Sequence, residues 1–152
     1  PCMPKMINNI CNYLPRTEMI VDLIKKYNTE GRTVLILSDR REHLNLLYKL
    51  LDGYSRGFYV GGMKPEELRE SQEKDILLAT FSMASEGMDI PKLNTIILAS
   101  PKSDVVQSVG RILREKANAR KFHPLIIDII DEDKYKEYGN ILFKDYLSNL
   151  TR

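Results

Sequence analysis

Short apolar segments alternate with amphipathic helical segments along most of the chain, and this alternation restricts the fold more than any other feature. The apolar segments are rich in leucine, isoleucine and valine on consecutive residues, as is typical of parallel strands buried on both faces. They occupy residues 33–37, 58–60, 76–79, 95–99 and 125–130. Strands that alternate with helices predict an α/β fold, an open parallel sheet of about five to six strands with helices on both faces.

The helical segments show the spacing that a single buried face requires. In residues 17–28, apolar side chains recur at intervals of three and four. Asp39 is expected to cap a second helix and Ser103 a later one that runs to about residue 113. Further helices are predicted from Pro65 and over roughly 134–147, the last one starting near Asp131–Asp133. Sheets of this kind bind ligands at the carboxyl ends of their strands, so the residues after each strand are the first candidates for a site.

Length and composition fit one domain. A chain of 152 residues, 43% of them hydrophobic, supports a single core. We expect residues 16–152 to form it, after an approach segment, residues 1–15, that leads from an N-terminal domain. The two cysteines, Cys2 and Cys11, have no partners at metal-ligand spacing, and no apolar run reaches the ~20 residues that cross a bilayer. We therefore expect a soluble, monomeric domain without a metal site of its own, in the cytoplasm or nucleus, and in the cytoplasm if it is viral.

Residues 107–114 carry the most informative pattern. At 100° per residue, one helix face presents Gln107, Gly110, Arg111 and Arg114, while the opposite face is apolar. A glycine inside a helix costs ~1 kcal/mol relative to alanine, so its presence in this stripe predicts a close approach to the backbone. A guanidinium fork suits an anionic ligand rich in oxygen, such as a phosphate. A solvated arginine face is the simpler alternative.

This pattern, Gln-x-x-Gly-Arg-x-x-Arg, resembles motif VI of superfamily 2 helicases, which lies in their C-terminal, second RecA-like domain. The resemblance implies that Arg114 is the arginine finger of an NTP site and Arg111 a second phosphate contact, with Gln107 and Gly110 placing them. Within the superfamily, the segment is more similar to DNA-directed helicases of the XPB-like and poxvirus transcript-release types than to DEAD-box RNA helicases.

Residues 79–91 are similar to motif V of the same family and precede the arginine pattern by one predicted strand. The resemblance implies that Thr80 contacts a nucleic-acid phosphate and that Gly87 and Asp89 face the nucleotide. Weaker similarities assign nucleic-acid contacts to four further residues after strands: Ser38, Arg40, Gly61 and Gly62. Read without the resemblance, each of these segments is equally an ordinary capped turn.

The sequence contains no Gly-x-x-x-x-Gly-Lys-Ser/Thr loop for NTP phosphates. Asp131 and Glu132 end an apolar segment as in a magnesium-binding motif, but they follow the arginine pattern instead of preceding it. The resemblance thus predicts the C-terminal half of an ATP-dependent helicase or translocase, whose ATP and Mg²⁺ are held mainly by a separate N-terminal RecA-like domain.

The partner implied is DNA, with RNA possible, and a basic patch around Arg111 to Lys121 predicts weak, salt-sensitive binding. The chain alone is expected to be inactive as an ATP hydrolase. The alternative is a free-standing, non-catalytic α/β module that binds a phosphorylated ligand or nucleic acid.

Overall fold

Five short strands form the centre of the protein, and most of their residues are apolar and buried. The computed structural model describes residues 11–86, 88–100, 112–113, 123–135 and 140–144. In chain order the elements are α1 (Leu14–Thr29), β1 (Val34–Ser38), α2 (Arg41–Leu50), β2 (Arg56–Tyr59), α3 (Pro65–Gln72), β3 (Ile76–Thr80), α4 (Phe81–Ser85), β4 (Thr95–Leu98), β5 (Leu125–Asp128), β6 (Ile130–Tyr135) and β7 (Asn140–Lys144).

The sheet has the order β2-β3-β1-β4-β5, and every pair of neighbouring strands is parallel. The central strand, β1, is buried at all five of its residues. Its last residue, Ser38, pairs with Thr80 at the end of β3, and Leu37 pairs with Leu98 at the end of β4. The predicted α/β fold with a parallel sheet is therefore confirmed, and all five strands end at one edge, the carboxyl edge.

The side chains of the sheet divide between two hydrophobic clusters, one on each face. Val34 and Ile36 of β1 belong to the first cluster, which helices α1 and α2 cover. Leu35 and Leu37 belong to the second, which contains side chains from α4, from residues 88–93 and from Leu113. Successive residues of a strand point to opposite faces, so a strand whose two faces are both covered must be apolar throughout. This explains the uninterrupted apolar runs of the sequence.

The prediction of a final helix over roughly 134–147 is wrong. Strands β6 and β7 form an antiparallel pair in a separate sheet of two strands, and Asp131–Asp133 lie within β6 instead of at a helix start. The predicted helix would have run through Gly139, which costs ~1 kcal/mol in a helix interior. A glycine between two segments that contain β-branched or aromatic residues is more typical of a hairpin.

The first helix begins at Leu14, earlier than the predicted start at residue 17. Pro15 stands in its first turn, where the missing N–H of proline removes no helical hydrogen bond. The helix packs Ile20 and Ile24 into the first cluster. It also buries Arg16 and Thr17 completely, which places two polar side chains inside the domain.

Candidate nucleic-acid interface

The carboxyl edge brings together four loops that are far apart in the sequence. The loops follow β1, β2, β3 and β4, and their first residues are neighbours because the strands are parallel and in register. The described candidates from the sequence lie in or beside these loops: Ser38 and Arg40, Gly61 and Gly62, Thr80, and Asp89.

The loop after β1 turns around the Ser38 side chain. Ser38 is fully buried; its Oγ accepts the backbone N–H of Arg40 at 3.2 Å and lies 3.0 Å from Nδ1 of His43. The hydroxyl therefore faces the interior and shapes the turn that presents Arg40. Arg40 is half-buried and is the N-cap of α2 in an extended conformation, φ −121°. Asp39 precedes the cap position, so it does not cap α2 as expected.

His43 lies directly beneath this loop and is 2% exposed. Burial, followed by the positive charge of Arg16, lowers the pKa of His43 from 6.5 to about 4, so the imidazole is neutral at physiological pH. Its Nε2 has no hydrogen-bond partner within the described part of the chain. A neutral imidazole adds no positive charge for a phosphate, and its contact with Ser38 makes it a support for the loop.

The loop after β2 contains the two candidate glycines. Gly62 has φ +88° and is exposed, and a Cβ built on it would meet no atom within 4 Å. Glycine is therefore favoured at residue 62 by its backbone conformation and not by a lack of space for a side chain. The carbonyl oxygen of Gly61 accepts a hydrogen bond from the Arg41 guanidinium, which ties this loop to the start of α2.

The segment after β3 differs from the expected polar loop. Residues 81–85 form the short helix α4, with Phe81 and Ala84 buried beneath it. Thr80 is the N-cap residue and is half-buried, and its Oγ1 lies 3.2 Å from the Oγ of Ser82. Two hydroxyl groups therefore stand side by side at this end of β3. The spacing of Phe81 and Ala84 was the sequence signal for this helix, but five residues are too few for a clear periodicity.

Asp89 is exposed, between the buried side chains of Met88 and Ile90. The two buried neighbours belong to the second hydrophobic cluster and fix the backbone there. Asp89 thus presents its carboxylate outward from an anchored segment. Gly87 lies outside the described residues.

The segment after β4, Ala99 and Ser100, is held by groups that sequence reasoning did not single out. Arg16 donates from one terminal guanidinium nitrogen to the Ala99 carbonyl oxygen at 2.6 Å. Ser100 accepts the backbone N–H of Asp39 on its Oγ at 2.8 Å. The partners are 83 and 61 residues apart in sequence, so no local pattern could have indicated either bond.

The arginine pattern itself lies outside the described residues, with Gln107, Gly110, Arg111 and Arg114. Two positions within it are described. Ile112 and Leu113 are helical, and Leu113 is 1% exposed, in the second hydrophobic cluster. The expectation that Leu113 lies on the packed face of a helix is confirmed. The roles of the polar stripe stay a prediction.

Among the described residues, no three histidine, cysteine, aspartate or glutamate side chains lie close enough to hold a metal ion. The helices of that part of the chain also include none long and apolar enough to cross a bilayer.

Comparison with known proteins gives consistent matches. The sequence profile of the helicase conserved C-terminal domain matches residues 15–116. A putative ATP-dependent RNA helicase, L396 of Acanthamoeba polyphaga mimivirus, is 43% identical over 138 residues, covering 88% of this chain and 26% of that protein. The transcript termination protein A18 of Myxoma virus is 24% identical over 71% of this chain and 25% of its own length.

Among solved structures, the C-terminal part of the Fun30 ATPase domain has a TM-score of 0.65. It is 17% identical, and the match covers 82% of this chain and 43% of that structure. This likeness shows the shared fold. The chain spans about a quarter of the length of the two viral relatives.

Proposed function

Because the chain belongs to the helicase conserved C-terminal domain family of superfamily 2, we propose that it is the ATP-responsive, nucleic-acid-gripping second domain of an ATP-dependent helicase or translocase. The observation that supports this most directly is the carboxyl edge. This edge of the sheet collects a cation, paired hydroxyl groups and an open glycine turn from three separate loops, those after β1, β3 and β2. These are groups that bind phosphate oxygens.

In this proposal the edge holds the backbone of one nucleic-acid strand. Arg40 supplies charge, Thr80 a hydroxyl donor, and the turn at Gly61 and Gly62 backbone N–H groups in an exposed position. Ser38, whose hydroxyl is used internally, acts by shaping its loop. Such contacts position a strand without reading its sequence, so binding is independent of sequence and weakens with salt.

The second part of the proposal concerns ATP. Arg114 and Arg111, placed by Gln107 and Gly110, neutralise negative charge on the transferring phosphoryl group, and Gly87 and Asp89 face the nucleotide. The exposed carboxylate of Asp89 fits a ribose, because a carboxylate accepts hydrogen bonds from hydroxyl groups. Bound ATP with Mg²⁺ supplies the free energy of hydrolysis. This chain's residues contribute charge stabilisation, which in phosphoryl transfer is worth ~10³ to 10⁵ in rate.

The chain works, in this proposal, with an N-terminal RecA-like domain that carries the phosphate loop and holds Mg²⁺. Residues 1–15 then lead from that domain into residues 16–152. We propose DNA as the track, with RNA as the alternative that the name of the mimivirus relative favours. The name of the poxvirus relative connects it to transcript termination, so we infer a role in transcription. We place the protein in the cytoplasm or nucleus, as a monomer.

ATP hydrolysis tests this proposal. The chain alone should hydrolyse ATP at a negligible rate, because its sequence contains no phosphate loop. The polypeptide that joins it to the N-terminal domain should hydrolyse ATP and respond to nucleic acid. There Arg114→Lys should leave ATP binding intact and lower turnover at least ~10³-fold, since lysine lacks the planar fork.

The Lys116→Arg variant is the matched control, because it makes the reverse exchange near the pattern and also keeps the charge, and it should stay within a few-fold of the parent. A robust magnesium-dependent rate from the chain alone would contradict the proposal. The non-catalytic alternative, a free-standing module for a phosphorylated ligand, predicts that no polypeptide containing the chain hydrolyses ATP at all.

A further inference from the structure

The backbone ladder between β1 and β4 stops just before the two loops that the proposed function assigns to different ligands. Its last bond runs from the Ala99 N–H to the Leu37 carbonyl oxygen, at 2.8 Å. Beyond it, the Ser100 Oγ accepts the Asp39 N–H, also at 2.8 Å. A side chain thus continues the connection where backbone pairing ends.

The Ser100 side chain is 2% exposed. The hydrogen bond is partly buried, so an Asp39 amide that loses this acceptor retains part of its desolvation cost. The Ser100 hydroxyl therefore fixes the distance between residue 39 and residue 100 closely. Only one oxygen atom is involved, so its removal changes little else.

Each of the two loops is anchored to the body of the domain by other groups as well. Arg16 holds the Ala99 carbonyl oxygen at 2.6 Å, and the Ser38 hydroxyl holds the Arg40 N–H at 3.2 Å. Loss of the Ser100 bond should therefore leave both loops folded. What it removes is a direct link between them.

The two loops lead to different parts of the proposed site. Asp39 immediately precedes Arg40, which is proposed to contact the nucleic-acid backbone. Ser100 begins the stretch of sequence that carries Arg111 and Arg114. A shift of Asp39 on strand binding would pass through the Ser100 hydroxyl to the start of that stretch. Displacements of ~1 Å in catalytic groups can change rates ~10²-fold.

We propose that Ser100 is a positioning residue that couples nucleic-acid binding at the loop after β1 to ATP turnover. This inference rests on the proposed function. It assigns a role that depends on neither ligand touching Ser100, and it predicts an effect on the stimulation of hydrolysis and not on the affinity for either ligand.

The test uses the polypeptide that contains this chain and its N-terminal domain. ATP turnover is measured with and without saturating single-stranded DNA or RNA, together with the Kd of the strand and the melting temperature. In Ser100→Ala, the stimulation by the strand should fall about tenfold. Basal turnover and strand Kd should change less than about twofold, a combination that a loss of general stability would not give.

Ser55→Ala is a control for the loss of a hydrogen bond from a backbone N–H to a serine hydroxyl, at an exposed residue. The Ser55 Oγ also accepts a backbone N–H from a neighbouring segment, that of Asp75, at 3.2 Å. It lies before β2, at the opposite edge of the sheet, far from the four loops. The stimulation of ATP turnover by nucleic acid should be unchanged in this variant. The comparison shows whether the effect of Ser100→Ala depends on where the hydrogen bond lies, and not only on the loss of such a bond.

A second pair of variants tests the same bond from its donor side. Asp39→Pro removes the N–H, and the extended conformation of the preceding strand residue tolerates a following proline. Asp39→Ala keeps the N–H and removes the carboxylate. Loss of stimulation in the proline variant alone supports the inference, even if Ser100→Ala fails to fold.

Two outcomes would overturn the inference. Stimulation that stays at the parent level in Ser100→Ala, or in Asp39→Pro if the former is unfolded, rejects the coupling role and leaves the proposed function standing. A parent polypeptide that no nucleic acid stimulates rejects the proposed function, and the inference with it.

Discussion

Two ionisable side chains, Arg16 and His43, lie inside the domain beneath the carboxyl edge. Arg16 is fully buried and donates to the Ala99 carbonyl oxygen. A buried guanidinium is costly unless it is hydrogen-bonded, so this contact fixes the end of β4. The positive charge of Arg16 also opposes a second positive charge on His43. Two buried side chains, charged Arg16 and neutral His43, therefore support the loops of the carboxyl edge.

The lowered pKa of His43 predicts a pH dependence of stability. The pKa of His43 in the folded state is about 4, against 6.5 for a solvent-exposed histidine, so the unfolded chain binds the proton more readily. The contribution of neutral His43 to the free energy of unfolding is complete above pH 6.5 and is lost as the pH falls towards 4. Between pH 7 and pH 5 the free energy of unfolding should fall by about 2 kcal/mol from this group.

Urea unfolding of the chain at both pH values measures this, with His43→Gln as the comparison. The variant should be less stable, but it has no imidazole to titrate. Its free energy of unfolding should therefore fall by about 2 kcal/mol less between pH 7 and pH 5 than that of the parent. Equal losses in the two proteins would show that His43 is not the titrating group.

Sequence reasoning found some residues of the edge and missed others for a physical reason. Thr80, Arg40, Gly61 and Gly62 follow predicted strands, and a parallel sheet brings strand ends together. Ser100 and Arg16 were missed because their partners are distant in sequence. The burial of Ser38 was missed too, since a polar residue after a strand gives no sign of which way its hydroxyl points.

At the scale of elements, the loop after β2 illustrates how backbone geometry limits substitution. Gly62 has a positive φ and open space where a Cβ would be. Gly62→Ala should therefore destabilise the chain by ~1–2 kcal/mol, the cost of a left-handed conformation for a residue with a Cβ. Gly62→Asn should cost less, because asparagine adopts this conformation more readily. Urea unfolding of the two variants measures the difference.

Gly57, which lies within β2 itself, provides a contrast. Its φ is not in the left-handed region, but an added Cβ would lie 2.9 Å from the Ser71 Oγ on α3. The alanine side chain would collide with Ser71, and Ser71→Gly in the same protein should relieve this in part, because the Lys74 Cγ would still lie 3.1 Å from the added Cβ. No second-site change of that kind should rescue Gly62→Ala.

Equal stabilities of the alanine and asparagine variants at residue 62 would contradict the conformational explanation.

The central elements were predictable because their signals were strong. Strands β1, β3, β4 and β5 gave continuous apolar runs, and α1 and α2 gave clear spacing of their apolar residues. Failures came at the weak signals: α4 has five residues, and the pair β6 and β7 was mistaken for a helix. Over residues 131–144, charged and apolar residues mix without a clear period of two, so the sequence carries no clear strand pattern and only Gly139 argues against a helix.

On the scale of the whole molecule, the near-neutral chain has a net charge of +2, so attraction to nucleic acid must come from local groups. The isolated chain should bind single-stranded DNA or RNA weakly and without sequence preference. The logarithm of the binding constant should fall linearly with the logarithm of salt concentration, by about 0.7 for each phosphate neutralised. Fluorescence anisotropy over a salt series measures this slope.

Arg40→Ala should weaken binding and lower that slope by about 0.7, the contribution of one phosphate contact. Lys49→Ala removes the same charge from the exposed last turn of α2, near the opposite edge, and should leave the slope unchanged. A binding constant for nucleic acid that does not vary with salt concentration would contradict binding through the phosphate groups.

The parallel register of the sheet also separates the working side of the domain from a side that tolerates alteration. In the five-stranded sheet, every strand begins at the edge opposite the proposed site. The turn at Asp52 and Gly53 is exposed there, with open space around Gly53. A fluorescent label or a short inserted tag at this turn would leave free the surface that is proposed to contact nucleic acid, so it could report the domain motion expected during ATP turnover.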